Sequence, residues 1–217
     1  MTTPGQTRTE PARQRTPLSR RACVALLSAT ATATVMVTAT AAAMLATPAQ
    51  AQAQAMTPPA PAELAADMPQ ARLQGSGRLR FLGLRIYEAR LWSGPAPVGA
   101  EWAAVPLALE LEYARGLAGT QIAERSLVEM RRQAEPTPET AARWLAAMKA
   151  VFPDVREGDR ITGVNVPGLG ARFFHNGRLR GEVLDPDFAR QFFGIWLSPR
   201  SSEPALRAAL LGTGPAR

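Results

Sequence analysis

Reactive side chains are scarce in this chain of 217 residues, which has one cysteine, one histidine, one lysine and two tyrosines. The cysteine, Cys23, precedes an apolar run near the N-terminus and would leave with a cleaved export signal. The processed chain would then have no disulfide, thiolate metal site or cysteine nucleophile. His175 sits beside an Asn-Gly pair and has no second histidine with which to share a transition metal. There is also no Gly-x-Ser-x-Gly elbow for it to serve as a hydrolase base, so an exposed or edge-strand position is expected. Gly75-Ser76-Gly77 and Gly168-Leu169-Gly170 lack a third glycine and a βαβ setting, which argues against nucleotide binding. Asp154, Glu157 and Asp159 around Gly158 do not have calcium-loop spacing and are expected to form a turn. No metal and no cofactor are expected.

The first 55 residues have the layout of an export signal. Arg8, Arg13, Arg15, Arg20 and Arg21 form a basic start, Ala22 to Leu45 is rich in Ala, Thr and Val, and Ala-x-Ala sites run from Ala49 to Ala55. Ser19-Arg20-Arg21 leaves the twin-arginine and general secretory routes both open. Five threonines between Thr30 and Thr40 make the run only mildly apolar, which argues against an uncleaved anchor. A periplasmic protein with no stable membrane span after signal removal is expected. The whole chain has 25 basic and 18 acidic residues, of which the first 55 hold five and one. The chain beyond the signal has a net charge of only +3, so the basic balance gives no nucleic-acid reading. Residues 56–71, with Pro58, Pro59, Pro61 and Pro69, read as a flexible linker ahead of one domain over 72–213.

Within that domain, Asp159 to Gly212 is the most legible stretch. Asn176-Gly177 between apolar-containing runs signals a hairpin, and Pro167-Gly168-Leu169-Gly170 makes a second turn. Together they predict strands near 160–166, 171–175 and 178–183. A helix then opens at Asp185-Pro186, with Phe188, Phe192, Ile195 and Trp196 on one face. Further upstream, Leu107, Leu109, Leu111 and Tyr113 alternate with Ala108, Glu110 and Glu112. That pattern predicts a half-buried strand with both glutamates toward solvent. Between Leu73 and Trp92 the apolar parity switches at Gly83, which reads as a bulge or break between two strand segments. Helices are predicted from Gly119 to about Gln133, from Thr137 to Phe152, and from Pro204 to Gly212. The order ββ-αα-βββ-αα favours an α+β fold, an antiparallel sheet with helices packed on one face.

The candidate binding residues are arginines and aromatics. Arg78, Arg80, Arg85 and Arg90 recur along the first strands, with Tyr87 and Trp92 among them, and Arg115 comes just after Tyr113. An arginine beside a tyrosine at the mouth of an apolar cavity holds a carboxylate or phenolate by charge-assisted hydrogen bonds. The competing reading is a solvated strand face on which arginine stems cover apolar surface.

The chain resembles the chalcone isomerase-like proteins, in particular their exported bacterial branch. The resemblance is carried by Gly75-Ser76-Gly77-Arg78, Arg85 to Trp92, Glu124-Arg125-Ser126, Gly158 to Gly163, Pro167 to Gly170, Asn176-Gly177, Gly181-Glu182, Asp185 to Arg190 and Phe193 to Leu197. It implies a curved antiparallel sheet, an open-faced sandwich with a ligand cleft between sheet and helices. Members of the family either add a phenolate intramolecularly to an enone or hold fatty acids. The arginine that other branches place after Gly-x-Gly falls on Leu79, and the tyrosine ending the next strand falls on Trp92. Strand parity points Arg78 and Arg80 away from Leu79.

These residues support three functional expectations. The first is an exported, non-catalytic binder of a small hydrophobic, amphipathic or fatty-acid-like ligand, using Arg78, Arg80, Tyr87, Trp92, Tyr113 and Arg115. The second is an isomerase (an intramolecular lyase) polarising a chalcone-like enone with Arg78, Arg80 and Tyr87. The third is a periplasmic interaction module without ligand.

Overall fold

The computed structural model describes residues 58–214, so the export signal read at 1–55 lies outside the described residues. Six strands form one antiparallel sheet in sequence order: β1 (Arg72–Phe81), β2 (Leu84–Ser93), β3 (Leu107–Tyr113), β4 (Arg160–Val166), β5 (Gly170–His175) and β6 (Arg178–Val183). The helices α1 (Gly119–Arg131) and α2 (Pro138–Val151) are inserted between β3 and β4. Two more, α3 (Pro186–Leu197) and α4 (Pro204–Leu211), come after β6. The fold is the expected α+β class, with one difference in order: three strands precede the first helix pair. The break expected at Gly83 is a two-residue turn, Leu82-Gly83, joining β1 to β2 with φ of 50° and 80°. Pairing of Phe81 with Leu84 across that turn accounts for the parity change, and a bulge at Ile86 in β2 returns the helix-side residues to odd positions.

Cross-strand register sorts the side chains into two faces. Leu79, Tyr87, Ala89, Leu91, Leu109, Leu111, Tyr113, Ile161, Phe173 and Val183 point toward the helices and join the main core. Phe152, Phe173, Phe188, Phe192 and Phe193 form its aromatic centre, with the Phe173 and Phe192 rings 5.1 Å apart and nearly perpendicular. Such edge-to-face pairs add to the effect of burial alone. The helix ends agree with the sequence signals. The Thr137 hydroxyl accepts from Thr140 N, and the Asp185 carboxylate accepts from the backbone N of Asp187 and Phe188. Gly75 and Gly77 have a packing role here. A Cβ at Gly75 would strike the carbonyls of Ala209 and Leu210, and one at Gly77 would lie 2.6 Å from Leu206 Cδ1. The pair lets α4 lie directly on β1.

The opposite face corrects two expectations. Over its described part, the stretch expected to be a flexible linker is built into the fold. Ala62–Leu64 forms a 3-10 turn, and Leu64 and Met68 are buried against Trp92, Ala108 and Val164. Four prolines suggested a spacer, but two apolar residues four apart give this segment a face to bury. It also covers Glu110, which is buried (3% exposed) and not on the solvent side as alternation predicted. Glu110 takes Arg90 Nη1 at 2.9 Å and Trp92 Nε1 at 2.8 Å, while Glu63 of the covering segment takes Arg160 Nη2 and Thr162 Oγ1 at 3.0 Å. His175 lies on the interior strand β5 and is not an edge residue; its Nε2 is 3.6 Å from Asp159 Oδ2. Asp159 itself caps a turn, accepting from Arg156 N and Asn176 Nδ2.

Candidate functional site

A cavity of about 380 Å³ opens between the β1–β3 end of the sheet and helices α1 and α3. Leu79, Phe81, Ile86 and Leu111 form its sheet wall, with Leu117, Ile122 and Ile195 opposite. The bulged residue of β2, Ile86, lies beside Phe81 and Tyr87 in its lining, beyond the point where the aromatic centre fills the space. Pockets of this size, apolar with a few polar groups, are the usual form of small-ligand sites.

Its polar groups come from three elements. Tyr87 and Tyr113 are opposed across β2 and β3, with their rings 6.0 Å apart and edge to face. Trp196 Nε1 donates to the Tyr87 hydroxyl at 3.0 Å, which leaves the phenolic proton of Tyr87 available for donation. Burial pushes the Tyr87 phenol well above its usual range, against the opposing effect of the Trp196 bond. Burial does the same to Tyr113, helped by Tyr87. Both groups are therefore neutral donors at physiological pH. On α1, Gln121, Arg125, Ser126 and Glu129 face the cavity, and Ser202 and Glu203 lie at its rim. Glu129 is buried and ion-paired to Arg125 and, at 3.1 Å, to Arg132.

Of the six candidate ligand residues, Tyr87 and Tyr113 line this cavity and the other four do not. Arg78 is exposed on the far face, 3.3 Å from Glu88. Arg80 and Arg115 are exposed as well. Trp92 is buried on the far face beside Glu110, since its position in β2 has the opposite parity to Tyr87. Arg125, Ser126, Glu129 and Trp196 were not singled out as ligand residues. One signal was readable: Ile122, Arg125, Ser126 and Glu129 recur at i, i+3, i+4 and i+7 on a predicted helix, a polar stripe beside the apolar one.

The class defined by this geometry is an open-faced α+β sandwich with a cavity between its layers. The chain belongs to the chalcone isomerase-like family, whose sequence profile matches residues 60–212. It is 31% identical over 107 residues to an uncharacterized protein of Haemophilus influenzae, a match covering 49% of this chain and 52% of that protein. The chain thus spans about half the length of that relative. The crystal structure of a fatty-acid binding protein of Arabidopsis thaliana superimposes with a TM-score of 0.51 at 14% identity. The superposition covers 65% of this chain and 87% of the plant protein. At that identity the likeness is one of fold.

Proposed function

We propose that this protein is an exported, non-catalytic binder that holds one small apolar or amphipathic molecule in the sheet–helix cavity. The carrying observation is the cavity itself, with apolar walls and two protonated tyrosines at one end. The fatty-acid binding described for the Arabidopsis protein supports a ligand with a long apolar body. The head group is set by the charges around it. Among the described residues, Arg125 is the one cation lining the cavity and is paired with Glu129, and Glu203 adds a second carboxylate. This balance favours an uncharged head, such as a hydroxyl, ketone or ester that accepts from Tyr87 and Tyr113, over a free carboxylate. Binding in preference to isomerisation is supported by Arg78 and Arg80, which lie away from the cavity and offer no charge to a phenolate there.

Native mass spectrometry of protein recovered from a bacterial periplasm tests the binder. A co-purified small molecule is expected, and its loss from an Ile122→Trp variant that fills the cavity places it. Competition between a long-chain alcohol and the corresponding acid tests the head group, with the alcohol expected to win. An empty wild-type protein would favour the interaction module. Cyclisation of a 2′-hydroxychalcone above the uncatalysed rate would make the protein an isomerase.

A further inference from the structure

Of the seven large apolar side chains exposed among the described residues, three fall in four consecutive positions: Phe81 at 63%, Leu82 at 86% and Leu84 at 55%. They form the tip of the β1–β2 hairpin. The hairpin of β5 and β6 turns with the same backbone signs, φ 49° at Asn176 and 81° at Gly177, and uses the residue pair that this turn favours. The β1–β2 turn instead has a leucine at φ 50°, where L side chains other than Asn, Asp and His are uncommon. Backbone strain and full solvent exposure thus coincide at Leu82. On either side, Arg80 and Arg85 are directly opposed partners across the hairpin, both exposed. Arg78, two residues away, is paired with Glu88, whereas Arg80 and Arg85 have no ion pair among the described residues. Like charges so placed weaken a hairpin until something negative neutralises them.

We propose that this hairpin tip is a membrane anchor that seats the cavity mouth on an anionic lipid surface. Phe81 and Ile86 belong both to the hairpin and to the cavity wall, so seating the tip brings the opening to the lipid. An apolar apex flanked by arginines matches an interface with acyl chains below and anionic head groups above. A two-residue turn is too small for a stable protein interface, which needs about 800 Å² per partner. The anchor adds a partner to the cavity reading without resting on it, because vesicle binding needs no cavity ligand.

The test is co-sedimentation of the protein with vesicles of phosphatidylglycerol in phosphatidylcholine, and of phosphatidylcholine alone, at low and high salt. Binding is expected on the anionic vesicles and is expected to weaken with salt. Leu82→Asn should lower it about tenfold while leaving Tm unchanged or raised, since asparagine suits the turn. Replacing Arg80 and Arg85 by glutamine should cost about fivefold for each charge removed, and only on anionic vesicles. The proposal is overturned if wild-type protein binds neutral and anionic vesicles equally or not at all, or if Leu82→Asn binds like wild type. It is also overturned if Leu82→Asn breaks a dimer and changes nothing on vesicles.

Discussion

The two faces of the sheet use the same kinds of residue to opposite ends. On the helix side, apolar side chains fill the centre and stop short at one end, leaving a cavity lined by neutral phenols. On the far side, Glu110, which looks solvent-directed in the sequence, is buried and takes Arg90 and Trp92, while Glu63 of residues 62–68 takes Arg160. The comparison separates stability from binding. The far face is tightly coupled, so single changes there act on folding. The cavity end is already underfilled, so changes there act on the occupant.

The sharpest way to break that division is Glu110→Ala. It strands the buried Trp92 indole N–H and leaves Arg90 with Glu88 and Glu112 only, and should lower unfolding free energy by about 1–3 kcal/mol in urea titrations. A loss under about 1 kcal/mol would mean the far-face charges are solvated after all. Next in size is Asp185→Ala, which removes the cap of α3 and should cost about 1 kcal/mol. Burial alone would raise the Asp185 carboxyl, but hydrogen bonds from Trp144, Phe188, Arg143 and Asp187 hold it below its usual range. The stabilisation is therefore complete above the ordinary carboxyl value of about 3.9 and is lost as pH falls through the depressed folded value. The variant should show a flatter stability profile in acid than wild type.

Smaller effects belong to the cavity. Tyr113→Phe should change stability by less than about 1 kcal/mol yet weaken ligand binding by about that amount, as read by calorimetric titration against wild type. If stability falls and affinity holds, the hydroxyl is structural. The least perturbing test is alkaline titration, which the presence of only two tyrosines makes clean. Both phenols are raised in the folded state, so their contribution is intact below about pH 10 and declines above it as the unfolded chain ionises first. Phenolate absorbance should rise together with loss of far-UV dichroism and not before.

Much of the fold was legible because local signals agreed with it. Asn176-Gly177, Asp185-Pro186 and the alternation over Leu107–Tyr113 each encode geometry through side chains that act on their own backbone. Leu82-Gly83 failed as a signal because leucine has no local reason to take positive φ, and its exposure is a property of the surface. Glu110 and Trp92 were misplaced for a different reason. Alternation put Glu110 correctly on the far face, but nothing local says that residues 62–68 cover that face, while Trp92, expected at the cleft, lies on the far face because its parity is opposite to that of Tyr87. Of the candidate site, the tyrosines could be found from strand pattern. Arg125 and Glu129 needed a helix face to be set against a sheet edge, which only tertiary structure supplies.

The contact of Gly75 and Gly77 with α4 joins one end of the described chain to the other. Among the described residues β1 is an edge strand, paired with β2 alone, and α4 lies across it like a clasp. Ile195, Trp196, Ser202 and Glu203, the C-terminal contributors to the cavity, all come before that clasp in sequence. During synthesis the chamber therefore stays unfinished until Glu203 has emerged, long after the strands of its sheet wall.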